Sequence, residues 1–231
     1  MRKLGIIGGL SWVSTRTYFE EINRIVQQRV DRRSSAPLLI ENLDFAQLYA
    51  LTDEGDWARA AGILSDSAKR LEQAGAGALL IAANSMHRVY DEVASAVQIP
   101  VLHIADCIGR KMQEDGVKTA AVLGTRNVMT EGFFRRRLVA HGVDLLPPDM
   151  KNVELLDRII YDELMIGRAT RDAERELKTM ITVLEKDGAK AVVLACTELD
   201  MVVDIDANIM PIYDSAQIHA REGAEWILGR D

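Results

Sequence analysis

The sequence predicts an α/β fold made of two similar lobes, each built on a parallel sheet. Three observations carry this. Short apolar runs alternate with long amphipathic stretches, the pattern of βαβ units. The runs are continuously apolar rather than alternating, as strands buried on both faces are. Three pairs of segments also recur in the same order at a nearly constant offset.

Leu4–Ile7 is the first run, closed by Gly8-Gly9. Thr17–Arg29 (TYFEEINRIVQQR) carries apolar residues at helical spacing, and Leu38–Ile40 is a second short run. Asp56–Gln73 reads as a helix and Ala78–Ala82 as a buried strand. Val101–Ile104, Thr119–Leu123 and Ala191–Leu194 are further strands, with helical segments between them. The tail Ala216–Leu228 reads as a helix that crosses back onto the first lobe. Asp53–Asp56, Arg135–Arg137 and Pro147-Pro148 read as solvated surface, loop and connection.

The repeats place Ile6-Ile7-Gly8-Gly9 against Val122-Leu123-Gly124-Thr125, an offset of 116 residues. Gly75–Ser85 matches Gly188–Glu198 at an offset of 113, and Ile99–His103 matches Met210–Asp214 at 111. Residues 1–100 with the tail 216–231 then form one lobe, and 101–215 the other. Ligands of open α/β sheets sit outside the carboxyl ends of the strands. Gly8–Thr15, Ala83–His87, Gly124–Asn127 and Cys196–Glu198 all follow strands, and two facing lobes would gather them in one cleft.

Composition narrows the partners. With 48% hydrophobic and 27% charged residues among 231, the chain has the make-up of a folded soluble protein. A net charge of −7 argues against nucleic acid and anionic membranes, which both attract positive faces. Glycines interrupt the N-terminal MRKLGIIGGLSW too early for a signal peptide, and no run reaches membrane-span length. A cytoplasmic protein is expected. Two cysteines make no disulfide scaffold, and neither they nor the four scattered histidines show metal-ligand spacing. Gly5–Gly9 lacks the third glycine of a dinucleotide loop.

Cys107 reads as a small buried hydrophobe in a helix start. Cys196 is either that or a reactive thiol, because it stands where an apolar strand meets a polar turn with Thr197 and Glu198 next. A turn at a helix N-terminus would lower its pKa. Glu198 either holds a substrate ammonium or bonds the turn, and Asp214 either orients His219 or bonds its own turn. His87 and His219 are structural side chains or site residues.

The motifs in order are Gly5-Ile6-Ile7-Gly8-Gly9-Leu10-Ser11-Trp12 with Ser14-Thr15 and Tyr18, then Asn84-Ser85-Met86-His87 and Leu123-Gly124-Thr125. Ala195-Cys196-Thr197-Glu198, Tyr213-Asp214 and Ile218-His219-Ala220 complete the set. With these the chain resembles the aspartate/glutamate racemase family along essentially its whole length. The resemblance implies two lobes related by a pseudo-two-fold axis with the active site in the cleft between them. It also implies a homodimer, a small amino acid or related carboxylic acid as substrate, and no pyridoxal phosphate or other cofactor. Family members racemise by two-base proton transfer, with one cysteine from each lobe. The carbanion needs donors aimed at the substrate carboxylate. On this resemblance Asn84, Ser85 and Thr197 hold the carboxylate, and Gly9, Ser11 and Thr125 shape the site.

One position departs from the family. The repeat aligns Ala83 with Cys196, where the usual pattern has a second cysteine, and alanine neither takes nor gives a proton. Four readings fit this. Water, Ser85 or His87 serves that face. A single thiol protonates an enolate, as in the arylmalonate decarboxylases that share the superfamily fold. The alanine replaces an original cysteine. Or the protein binds a small acid without turnover. The Cys196-Thr197-Glu198 run favours the racemase branch. A dicarboxylate would need a cation, for which Arg88, Arg126 and Arg168 are the candidates. Asp44–Leu51 contains no arginine, so Gln47 would read a neutral or longer side chain.

Overall fold

The computed structural model describes residues 1–229 and divides the chain into two compact units. Arg230 and Asp231, the end of the expected tail, lie outside the described residues. The first unit is Met1–His103 together with the chain from His219 onward, and the second is Ile104–Ile218. No helix among the described residues is long and apolar enough to cross a membrane.

The first unit runs β1 (Leu4–Gly8), α1 (Trp12–Arg29), β2 (Leu38–Asn42), α2 (Phe45–Asp53), α3 (Trp57–Gln73), β3 (Ala78–Ile81), α4 (Tyr90–Ser95) and β4 (Val101–Leu102). Its four strands are parallel in the order β2-β1-β3-β4. The amphipathic face of α3 buries Leu64, Ala68 and Leu71 with Leu79 and Ile81 of β3 in one cluster. Burying a leucine or isoleucine contributes roughly 1.5–3 kcal/mol. The C-terminal segment packs on the same sheet. A Cβ on Gly223 would lie 2.8 Å from Leu80, and the Arg2 N–H donates to the Ile227 carbonyl at 2.9 Å.

The second unit runs α5 (Ile104–Glu114), β5 (Thr119–Gly124), α6 (Arg126–Thr130), α7 (Gly132–Ala140), β6 (Asp144–Leu145), α8 (Met150–Asp162), α9 (Arg171–Lys186), β7 (Val192–Ala195), β8 (Ile212–Asp214) and the start of α10 (Ser215–Ile227). Its parallel order β6-β5-β7-β8 repeats that of the first sheet. Side chains of β7 alternate between faces, as strand geometry requires. Val192, Leu194 and then Cys196 join the cluster formed with α8 and α9, while Val193 and Ala195 join the one formed with α5 and α7.

The duplication extends to register. Ile7 lies opposite Ile81 in the first sheet, and its repeat-mate Leu123 lies opposite Leu194 in the second. Ala83 and Cys196 each stand two residues beyond those partners.

Three expectations change. α1 starts at Trp12 rather than Thr17, because the Ser11 side chain caps it by accepting the Ser14 N–H. The buried small polar residues Ser14 and Thr15, with Trp12 exposed, hide the apolar period in its first turn. The strand expected over Val101–Ile104 ends at Leu102, and Ile104 begins α5. Arg135–Arg137 lie on α7 rather than in a loop. Half-buried Arg135 donates to the Met129 and Leu146 carbonyls, and Arg137 pairs with Asp106 at 2.6 Å.

The β1–α1 turn depends on Gly9. Its φ is +75°, and a Cβ there would collide with the Leu43 backbone. Gly116 has a similar φ of +72° with open space around it. Gly9→Ala is expected to lower the unfolding free energy by about 3 kcal/mol in urea denaturation. Gly116→Ala, which adds only backbone strain, is expected to cost about 1 kcal/mol. Equal losses would show that the Leu43 contact is not limiting.

Candidate functional site

In the first unit, the turns after β1 and β3 are tied together. The Ser14 hydroxyl donates to the Ala82 carbonyl at 2.7 Å, and the Gly9 N–H donates to Thr15 Oγ1 at 2.8 Å. Gly9, Ser11, Asn84 and Ser85 therefore belong to one carboxyl-end edge, with Ser11 and Asn84 buried. Ala83 is buried in the apolar cluster of α3 and β3.

His87 follows on a short 3-10 turn, and its Nδ1 lies 2.8 Å from the Ala83 carbonyl. That oxygen only accepts, so Nδ1 carries the proton. The His87 ring meets those of His103 at 4.5 Å and His219 at 5.7 Å. His219 Nε2 lies 2.9 Å from the Leu102 carbonyl, and its Nδ1 lies 2.8 Å from the Tyr18 hydroxyl. In the neutral ring Nε2 donates and Nδ1 accepts. Three of the four histidines, scattered in sequence, thus gather in one buried cluster. His103 was not singled out from the sequence. The usable signal was position, since His87 and His103 each follow a strand of this sheet.

In the second unit, Gly124 of β5 lies opposite Ala195 of β7, so Thr125 and Cys196 emerge side by side at the sheet's edge. The strands approach closely, and a Cβ on Gly124 would lie 2.6 Å from the Ala195 carbonyl. The Thr125 hydroxyl is buried without a hydrogen-bond partner. It does not cap α6; instead Asp157 accepts the Arg126 N–H at 2.9 Å.

Cys196 is 6% exposed, and its thiol donates to Glu198 Oε2 at 3.2 Å. The Thr197 hydroxyl donates to the same oxygen at 2.7 Å. Glu198 is 2% exposed, and its Oε1 is buried without a partner. Of the two readings of Glu198, bonding the turn is the one seen, with one oxygen left over. The Thr197 hydroxyl proton is engaged there.

The electrostatics run opposite to the sequence expectation. Burial pushes the Cys196 thiol well above its ordinary pKa, and the negative charges of Glu198 and Asp200 add to the effect. A backbone N–H of Glu198 acts in the other direction and is outweighed. The helical segment that follows is a single 3-10 turn, Leu199–Met201, too short for a strong dipole. At neutral pH Cys196 is therefore a thiol and Glu198 its acceptor.

The other residues named from the sequence have these surroundings. Asp214 bonds its own turn, accepting the Gln217 N–H at 3.0 Å. The Arg126 guanidinium reaches Asp157 at 3.7 Å. Arg88 is exposed, with its guanidinium 4.4 Å above the Trp57 ring. Gln47 on α2 and Arg168, after the Gly167 turn, are exposed. Cys107 is buried within α5 beside Arg110.

The family model of the Asp/Glu/hydantoin racemases matches residues 7–223. The chain belongs to that family. Among solved structures, this racemase-family chain is similar to a candidate Asp/Glu racemase from Yersinia pestis. The two are 35% identical over 99% of this chain and 100% of that one, with a TM-score of 0.91. An aspartate racemase homologue from Pyrococcus horikoshii OT3 is 32% identical over 99% and 100% of the two chains, with a TM-score of 0.85. A broad specificity amino-acid racemase from Bacillus subtilis (strain 168) is 22% identical over 68% of this chain and 67% of that protein.

The Glu198 charge opposes ionisation of Cys196, so its removal should move the thiol titration to lower pH. Ultraviolet absorbance of the thiolate reads this in a Cys107→Ala background, where Cys196 is the remaining thiol. Glu198→Gln is expected to give more thiolate at each pH below the parental inflection. An unchanged or upward-shifted titration would contradict the electrostatic account.

Proposed function

We propose that the chain is a cofactor-independent amino-acid racemase or epimerase with Cys196 as its catalytic thiol. The observation that supports this most is the Cys196–Glu198 pair beside the unpartnered Thr125 hydroxyl. An amino-acid α-proton is weakly acidic, so a base and a stabilised carbanion are both required.

As a base, Cys196 must first lose its own proton. Glu198 Oε2, already hydrogen-bonded to the sulfur, takes it. The pair then holds one proton and one negative charge both before and after, so no second charge is buried. The thiolate removes the substrate α-proton and becomes a thiol. The carbanion charge moves into the substrate carboxylate, where the Thr125 hydroxyl and backbone N–H groups of the strand-end turns donate. The buried Oε1 of Glu198 remains to accept from the substrate ammonium.

Inversion requires a proton from the other side. Ala83 has none to give, so this reading assigns that step to water, Ser85 or His87. The enzyme then inverts slowly, or favours one direction. The protonated state of Cys196 also suits a second reading, in which the thiol only donates. Such a protein would protonate an enolate left by loss of carbon dioxide from a malonate-type acid.

Incubation with single amino acids in heavy water separates the two. α-Deuteration observed by NMR is expected, and Cys196→Ser should slow it by about 100- to 10,000-fold. Absence of exchange for every amino acid, with carbon dioxide released from a malonate-type acid, would replace the racemase reading with the decarboxylase one.

A further inference from the structure

The turn after β7 carries a carboxylate that its backbone cannot hold in place. The Leu199 N–H donates to the Cys196 carbonyl at 3.2 Å, so Thr197 and Glu198 are the central residues of a β-turn. Glu198 has φ −88° and ψ −9°, the conformation of the third residue of a type I turn. The turn thus fixes the Glu198 backbone. Its carboxylate lies several rotatable bonds further out, and a glutamate side chain loses much rotamer freedom when held. Glu198 is nonetheless buried, and among the described residues it enters no ion pair.

Two side-chain donors meet the same carboxylate oxygen, and they are unequal. Thr197 Oγ1 lies 2.7 Å from Oε2, and Cys196 Sγ lies 3.2 Å from it. A thiol is a weak donor. A hydroxyl donating to a carboxylate makes a short, charge-assisted bond, about twice as strong as a neutral one. The stronger bond decides where the carboxylate sits. We propose that Thr197 is the positioning residue of this site: its hydroxyl fixes the Glu198 carboxylate so that Oε2 faces the thiol and Oε1 stays open for a ligand. The buried, unpartnered Oε1 is what remains when both donors gather on Oε2.

This role replaces the one that the family resemblance implies for Thr197. A hydroxyl has one proton to donate, and here it is spent on Glu198. Turning it toward a substrate carboxylate would strip a buried charge of its stronger donor. Thr125 carries a hydroxyl with no such engagement. The inference rests on the racemase reading for its effect on rate alone. In that chemistry the Cys196 S–H bond breaks and an O–H bond forms at Glu198 Oε2, while Thr197 keeps its own proton. An acceptor held in place speeds this transfer and leaves substrate affinity unchanged. The hold on Glu198 itself is read on the thiol, without turnover.

Three variants of the full chain test the proposal. Thr197→Val keeps the shape and removes the hydroxyl, Thr197→Ala removes it without adding a methyl group, and Thr197→Ser restores it. A loosened Glu198 opposes ionisation of Cys196 less. In the Cys107→Ala background, Thr197→Val and Thr197→Ala should therefore move the thiol titration to lower pH, the direction expected of Glu198→Gln. Thr197→Ser should leave it in place. In α-deuteration, kcat should fall about 100-fold in the two hydroxyl-free variants with KM within about two-fold of native, and Thr197→Ser should recover most of kcat. A thiol titration unmoved in both hydroxyl-free variants would overturn the proposal, as would a serine variant no better than alanine. A raised KM with unchanged kcat would overturn it too, and return Thr197 to holding the substrate carboxylate. If the native chain deuterates no amino acid, the racemase reading fails, and the titrations alone decide for or against the hold of Thr197 on Glu198.

Discussion

In the proposed function, a single hydrogen bond, from the Cys196 thiol to the Glu198 carboxylate, decides what chemistry the second unit can perform. A sulfur buried at a strand end without such a partner would have no adjacent acceptor for its proton. With the carboxylate at 3.2 Å, the proton has a place to go that leaves the local charge unchanged. The same carboxylate keeps the resting thiol protonated. On the proposed reading the pair is a proton store that can be drawn on in either direction, and the strand register brings Cys196 out next to Thr125.

The fold supplies this arrangement twice and the side chains fill it unequally. Both sheets have the same order and register. At the end of β7 stand a thiol, a carboxylate and, two residues on, Asp200. At the matching positions after β3 stand Ala83, Ser85 and His87. Where the second unit concentrates negative charge, the first gathers His87, His103 and His219 with Tyr18. Ala83, at the position matched to Cys196, packs among apolar neighbours and carries no transferable proton.

Much of this was legible in sequence. Continuous apolar runs identify buried parallel strands, and the offsets that pair Ile7 with Leu123 and Ala83 with Cys196 reappear as register. What stayed hidden has physical causes. The start of α1 is masked because its first turn buries Ser14 and Thr15 beside Val13 and leaves Trp12 exposed. The three-histidine cluster joins residues separated by up to 132 positions, His87 to His219, which no local pattern reports. The direction of the Cys196 pKa shift was misread, because a strand-to-helix turn suggests a stabilising dipole. The actual helical turn is three residues long, while burial and two carboxylates act on the sulfur.

The claim of one working thiol is tested most directly by comparing two rates in one heavy-water reaction from a single enantiomer. One is deuterium incorporation at the α-carbon with configuration retained, and the other is appearance of the inverted product. A lone Cys196–Glu198 pair that takes and returns the proton on the same side predicts retained, labelled substrate accumulating well ahead of inversion for one enantiomer. Inversion keeping pace with incorporation from the outset, for both enantiomers, would contradict it and require a second base as effective as the thiol.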